Sequence, residues 1–115
     1  MQTPIAYNGV TFNHNIEILR DIADTIGTHN MANGYDRYSW AVTEHGRIQV
    51  MIRHRDKYVL VEFEGDGICI MTECDSYGHP IDENKRVLFD SHWYTGSNIK
   101  DAFALTVKKN FGIYV

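Results

Sequence analysis

The chain has 115 residues, 43% of them apolar and 23% charged, enough to bury one core without disulfides or metals. Its net charge of −4 disfavours broad phosphate binding, and no apolar run approaches the ~20 residues of a membrane-spanning helix. Met1 to Ile5 lacks the basic start and apolar core of a secretory signal, and two thiols suit a reducing compartment, so a cytoplasmic location is expected.

Taken in order, Ile5 to Phe12 carries Asn8-Gly9 between two short β-type runs. That dipeptide predicts a type I′ hairpin pairing Tyr7 with Val10 and Ile5 with Phe12. Asn13 or Asn15 can then cap a helix in which Ile16, Leu19, Ile22, Ala23 and Ile26 recur at helical spacing. Gly27 suits its C-terminal stop, leaving residues 28–36 as a loop with an Asn33-Gly34 turn.

Four strand-like runs follow: Tyr38–Thr43, Arg47–Arg53, Tyr58–Glu64 and Ile68–Glu73. Loop length sets register, so each turn can be tested against the apolar pattern. Glu44-His45-Gly46 as a three-residue loop sets Val42 opposite Ile48, Trp40 opposite Val50 and Tyr38 opposite Ile52. An Arg55-Asp56 turn sets Ile52 opposite Val59, Val50 opposite Val61 and Ile48 opposite Phe63. A two-residue Gly65-Asp66 turn sets Phe63 opposite Ile68 and Val61 opposite Ile70. The three turns then place one apolar set on a single face, which predicts an antiparallel meander.

That register leaves Ser39, Met51, Leu60 and Met71 as a row along the opposite face, where polar residues are the rule. Either a terminal segment or long loop covers the row, or a partner does. Charge alternates along the chain: residues 37–60 hold five cations against two acids, and residues 61–85 one cation against seven. Such alternation is ordinarily a solvated face whose strands pair, as Arg47 with Glu64.

Asp75 to Lys85 is the longest irregular stretch, and Arg86–Trp93 reads as a fifth strand with Val87, Phe89, Ser91 and Trp93 inward. This strand fits beside either outer strand of the meander. Residues 95–98 cap a second helix, whose stripe is Ile99, Ala102, Phe103, Thr106, Val107 and Phe111. Lys108 and Lys109 suit its last turn and Gly112 its end. The expected fold is α+β: a four- to five-stranded antiparallel meander packed against two helices, with a short N-terminal hairpin. Residues 1–115 read as one domain.

Chemical signatures are sparse. His14, His29, His45, His54, His79 and His92 show no paired ligand spacing, so no metal and no cofactor is expected, and most of the histidines, in turns or at helix starts, read as exposed polar residues. Cys69 and Cys74, an odd offset apart on one strand, point to opposite faces and do not pair with each other. No nucleophile elbow or phosphate cradle is present. The stretch Arg53-His54-Arg55-Asp56-Lys57-Tyr58 is the one candidate for gripping nucleic acid, and the acidic strand beside it weighs against that.

The expected function is therefore a small acidic, non-enzymatic protein-binding module. Its size and charge are of the kind seen in phage or mobile-element inhibitors that occupy a basic surface of a nucleic-acid-handling host protein. The expected contact residues are Met51, Leu60, Met71, Glu62, Glu64, Asp66 and Glu73, and the same row can serve a homodimer. The alternative is a small-molecule or nucleotide binding or processing domain, its pocket lying between the sheet and residues 28–36 and 75–85. Tyr35, Tyr77, His79 and His92 would then contact the ligand.

Overall fold

A computed structural model of the chain describes residues 3–7, 10–14, 16–36, 41–42, 48–63, 68–94 and 98–115. Strands β3 (Ala41–Val42), β4 (Ile48–His54), β5 (Lys57–Phe63), β6 (Ile68–Cys74) and β7 (Arg86–Asp90) form one antiparallel sheet in sequence order. Helices α1 (Ile16–Ala32) and α2 (Asn98–Phe111) share a core with one face of that sheet, giving an α+β fold. Strands β1 (Thr3–Tyr7) and β2 (Val10–His14) pair separately, with Ile5 opposite Phe12 and Tyr7 opposite Val10.

The β4/β5 register is the expected one, with Ile52 opposite Val59, Val50 opposite Val61 and Ile48 opposite Phe63. Val42 likewise pairs with Ile48. Tyr38, Trp40, the Glu44-His45-Gly46 loop and the Arg47–Glu64 pair lie outside the described residues. Arg55 turns the hairpin with a φ of 55°, a left-handed conformation that costs a non-glycine residue ~1 kcal/mol.

Between β5 and β6 the expected register is wrong by one residue. Phe63 pairs with Cys69 and Val61 with Met71, so five residues separate the first pair instead of four. The side-chain period of a strand is two, so the shift turns every β6 side chain over. Cys69 and Met71 enter the core with no exposure, and Ile68 and Ile70 move to the outer face. Strand β7 lies beside β6, with Leu88 opposite Ile70 and Phe89 opposite Cys69. It ends at Asp90, and Ser91–Trp93 form a 3-10 turn that leaves Trp93 81% exposed instead of inward.

Helix α1 does not stop at Gly27, which is buried within it, but runs through Ala32. Ile22 and Ile26 face the core, and His29 and Asn30 extend the buried side by a further turn. That packing offsets the ~1 kcal/mol that glycine costs a helix interior. The stop is Gly34, at a φ of 82°. There the Gly34 N–H donates to the Met31 carbonyl and the Tyr35 N–H to the Asn30 carbonyl, the paired bonds of a glycine C-cap. Residues 28–32 are thus helix, not loop.

Helix α2 buries Ile99, Phe103, Val107 and Phe111, the expected stripe. Phe103 meets Phe89 edge to face, with ring centroids 5.6 Å apart. Lys108 and Lys109 lie in the last turn, and Gly112 follows at a φ of 70°. Lys57 Nζ, from the β4/β5 turn, donates to the Phe111 carbonyl at 2.9 Å and ties the hairpin to the end of α2.

Candidate functional site

The outer face of the sheet is half roofed. Residues 75–81 fold back along β6 because the Asp75 carboxylate accepts the N–H groups of Tyr77 and His79, at 2.9 and 3.0 Å. These bonds, the His79 one foremost, hold the Asp75 carboxyl below the usual carboxylate range. The Ile81 N–H then reaches the Glu73 carbonyl at 3.0 Å, and Cys74 bridges to Pro80. Gly78, at a φ of 86°, brings its backbone over Met51, where an added Cβ would stand 3.7 Å from the methionine methyl. Met51 is accordingly only 7% exposed. A loop of the chain itself covers this part of the row.

Of the other expected contact residues, Met71 is fully buried on the opposite face, so it cannot reach a partner. Glu73 stands at the end of β6 opposite Val59, and Glu64 and Asp66 lie outside the described residues. Leu60 and Glu62 do lie on the outer face, half-buried, and the Gln49 amide donates to the Glu62 carboxylate at 2.8 Å. Together with Ile70, Thr72, Gly78, Pro80 and Arg86 they line a hollow of about 390 Å³. Leu88, opposite Ile70, is 63% exposed. The apolar row is therefore real but displaced, from Met51 and Met71 towards Leu60, Ile70 and Leu88.

The residues of the alternative pocket do not form one group. The Tyr35 hydroxyl donates to the Arg55 carbonyl at 2.8 Å, at the hairpin tip. Tyr77 and His79 sit together on the covering loop, ring centroids 6.4 Å apart and both exposed. His92 lies in the turn after β7. A hollow of about 470 Å³ does open beside residues 81–87, lined by Glu73, Asp82, Lys85, Arg86, Asn110 and Phe111 among others.

The hairpin tip serves the fold more visibly than it serves nucleic acid. Lys57 is engaged with α2, and the Arg53 guanidinium lies 5.8 Å from the Tyr35 ring centre. His54 Nδ1 stands 3.3 Å from His29 Nε2, and the two rings stack with centroids 5.2 Å apart. His29 is only 8% exposed, which corrects its reading as an exposed polar residue. Burial lowers its pKa from the ordinary 6.5, and the neighbouring His54 adds to this, while a bond to the Tyr114 backbone opposes it. The sequence signal for this pair was the helical phase of α1 itself, in which Ile22, Ile26, His29 and Asn30 share one side.

A folded-state pKa below the unfolded one means that the unfolded chain takes up the proton first as pH falls. The stability that neutral His29 contributes is thus present above about pH 6.5 and is lost as pH drops through that value towards the lower folded pKa. Replacing His29 with Gln is expected to flatten the fall in urea midpoint over that range. Midpoints measured at half-unit pH steps for both proteins check this.

Cys69 and Cys74 are free and buried, on opposite faces. Burial pushes their thiols up to about 12 and about 11, the latter also raised by Asp75, so neither is poised as a thiolate nucleophile. Among the described residues no three His, Cys, Asp or Glu side chains stand where they would enclose a metal ion. No helix among them is long and apolar enough to cross a membrane. No protein-family model matches the chain, and no curated protein or solved structure is significantly similar to it.

Proposed function

We propose that the protein is a non-enzymatic binding module that occupies a basic surface of a larger protein, using the outer face of β5, β6 and β7. The hollow between that face and the covering loop carries this reading. Its floor is apolar, at Leu60 and Ile70, and Glu62 stands at its wall. That combination fits a lysine or arginine of a partner, with the stem on the floor and the charged head on the carboxylate. Asp75, at the root of the covering loop, adds negative charge beside that face and would steer a cationic partner. An inhibitor acting by surface occupation, of the phage or mobile-element kind, is the form of the module that this chemistry suits.

The test is purification of the tagged protein from its native host at two salt concentrations, beside the Glu62→Gln variant. A stoichiometric protein partner that is held at low salt and released at high salt is expected. Glu62→Gln should weaken its retention about tenfold, the effect of losing a charge-assisted bond of ~1.5 kcal/mol. Equal retention by the variant would sink the reading. A small phosphorylated molecule retained instead of a protein would favour the second reading, a ligand pocket. The 470 Å³ hollow beside Lys85 and Arg86 supports that one, since its size lies in the range of small-molecule sites.

A further inference from the structure

We propose that the chain pairs with a second copy of itself, β7 against β7 in antiparallel sense, about a two-fold axis through Leu88. The sheet order ends at β7, and among the described residues nothing is bonded along its far side. An open edge strand is a template for another strand. This one carries an apolar side chain on its outer face, Leu88, at 63% exposure.

The five residues of β7 are Arg-Val-Leu-Phe-Asp, and they are complementary to themselves when reversed. Centred on Leu88, antiparallel pairing sets Arg86 opposite Asp90 of the second copy, twice by symmetry. Val87 meets Phe89, and Leu88 meets its own copy. Strand alternation keeps these pairs on matching faces. Arg86, Leu88 and Asp90 share the outer face, while Phe89 is buried and Val87 packs against the core. The ion pairs and the Leu88 contact therefore form on one side, and the apolar core runs on across the axis on the other. Sliding the pairing by two residues keeps the faces but loses both ion pairs, so charge selects this register. A two-fold contact of this kind closes on itself and does not propagate into fibres.

Sedimentation velocity over a concentration series up to about 1 mM tests the pairing, since mass action makes a dimer depend on concentration. The wild-type chain should sediment as a monomer–dimer equilibrium. Arg86→Glu sets two pairs of acids face to face and Asp90→Arg two pairs of cations, so each alone should raise the dissociation constant at least about tenfold. An equimolar mixture of the two variants restores opposite charges at all four positions, and it should form a heterodimer at wild-type concentrations. Far-UV circular dichroism confirms that each variant is folded. A wild-type monomer throughout the series overturns the proposal. So does a mixture that fails to recover association, because another surface would then hold the copies together. Arg86 also lines the outer-face hollow, so partner binding is read on Glu62→Gln alone, and its loss there leaves the dimer untouched.

Discussion

Met71→Lys is expected to unfold the protein, while Ile70→Lys, one residue away, leaves it folded. Met71 has no exposure and sits in the core opposite Val61 and Val87. An ammonium there has no water and no carboxylate of the buried cluster to meet it. The cost should exceed about 4 kcal/mol, a large part of the 5–15 kcal/mol that holds a typical domain together. Ile70 points the other way, into the outer hollow beside Glu62, where a lysine keeps its head in solvent. Its replacement should cost no more than about 1 kcal/mol. Urea midpoints and far-UV circular dichroism of the two variants decide the matter. Equal tolerance, or the reverse order, would mean that β6 pairs in the register of a two-residue turn.

The second large effect is expected at Asn30. This fully buried side chain does the work of a neighbouring strand at the β4 edge. Its amide donates to the Met51 carbonyl at 2.9 Å, and its carbonyl oxygen accepts the Arg53 N–H at 2.8 Å. Asn30→Ala leaves both backbone groups without those partners at a site closed by α1. The loss should be about 3 kcal/mol, from two unsatisfied buried groups. Asn30→Asp keeps an acceptor for Arg53 but sets a carboxylate against the Met51 carbonyl, and it should also destabilise. Denaturant midpoints give the magnitude. Hydrogen exchange at the Arg53 amide gives the mechanism, since that amide should lose protection beyond what the global change accounts for. An Arg53 amide protected as in the wild type would refute the strand-like role of Asn30.

The functional consequence of the β6 register is direct. With Met71 outward, the outer face would carry a continuous Met51, Leu60 and Met71 row. With Met71 inward and residues 75–81 over Met51, the open apolar surface moves to Leu60, Ile70 and Leu88. It thus reaches Leu88 on β7, the last strand of the sheet among the described residues. The same displacement removes Met51 and Met71 as points for probing a partner and makes Glu62, Ile70 and Leu88 the useful ones.

Local chemistry by itself determined the meander, both helices and the pairing of β4 with β5. In that hairpin, turn and pattern agree, because the Arg55-Asp56 turn sets Val50 and Ile52 against Val61 and Val59 on one face and Gln49 and Arg53 against Glu62 and Tyr58 on the other, where Met51 and Leu60 alone are apolar. In β6 the pattern is silent. Ile68, Cys69, Ile70 and Met71 are all apolar, and Gly65-Asp66-Gly67 allows a turn of either parity. Only the packing of α2 and β7 against Cys69 and Met71 chooses the face. The end of α1 has the same character: Gly27 and Gly34 both qualify as stops, and burial of His29 and Asn30 selects the later one. The place of β7 beside β6, the His29–His54 contact and the roof over Met51 join residues far apart in the chain, where no local signal reaches. Sequence settles what neighbouring residues decide between them, and tertiary structure decides wherever two local solutions have nearly equal free energy.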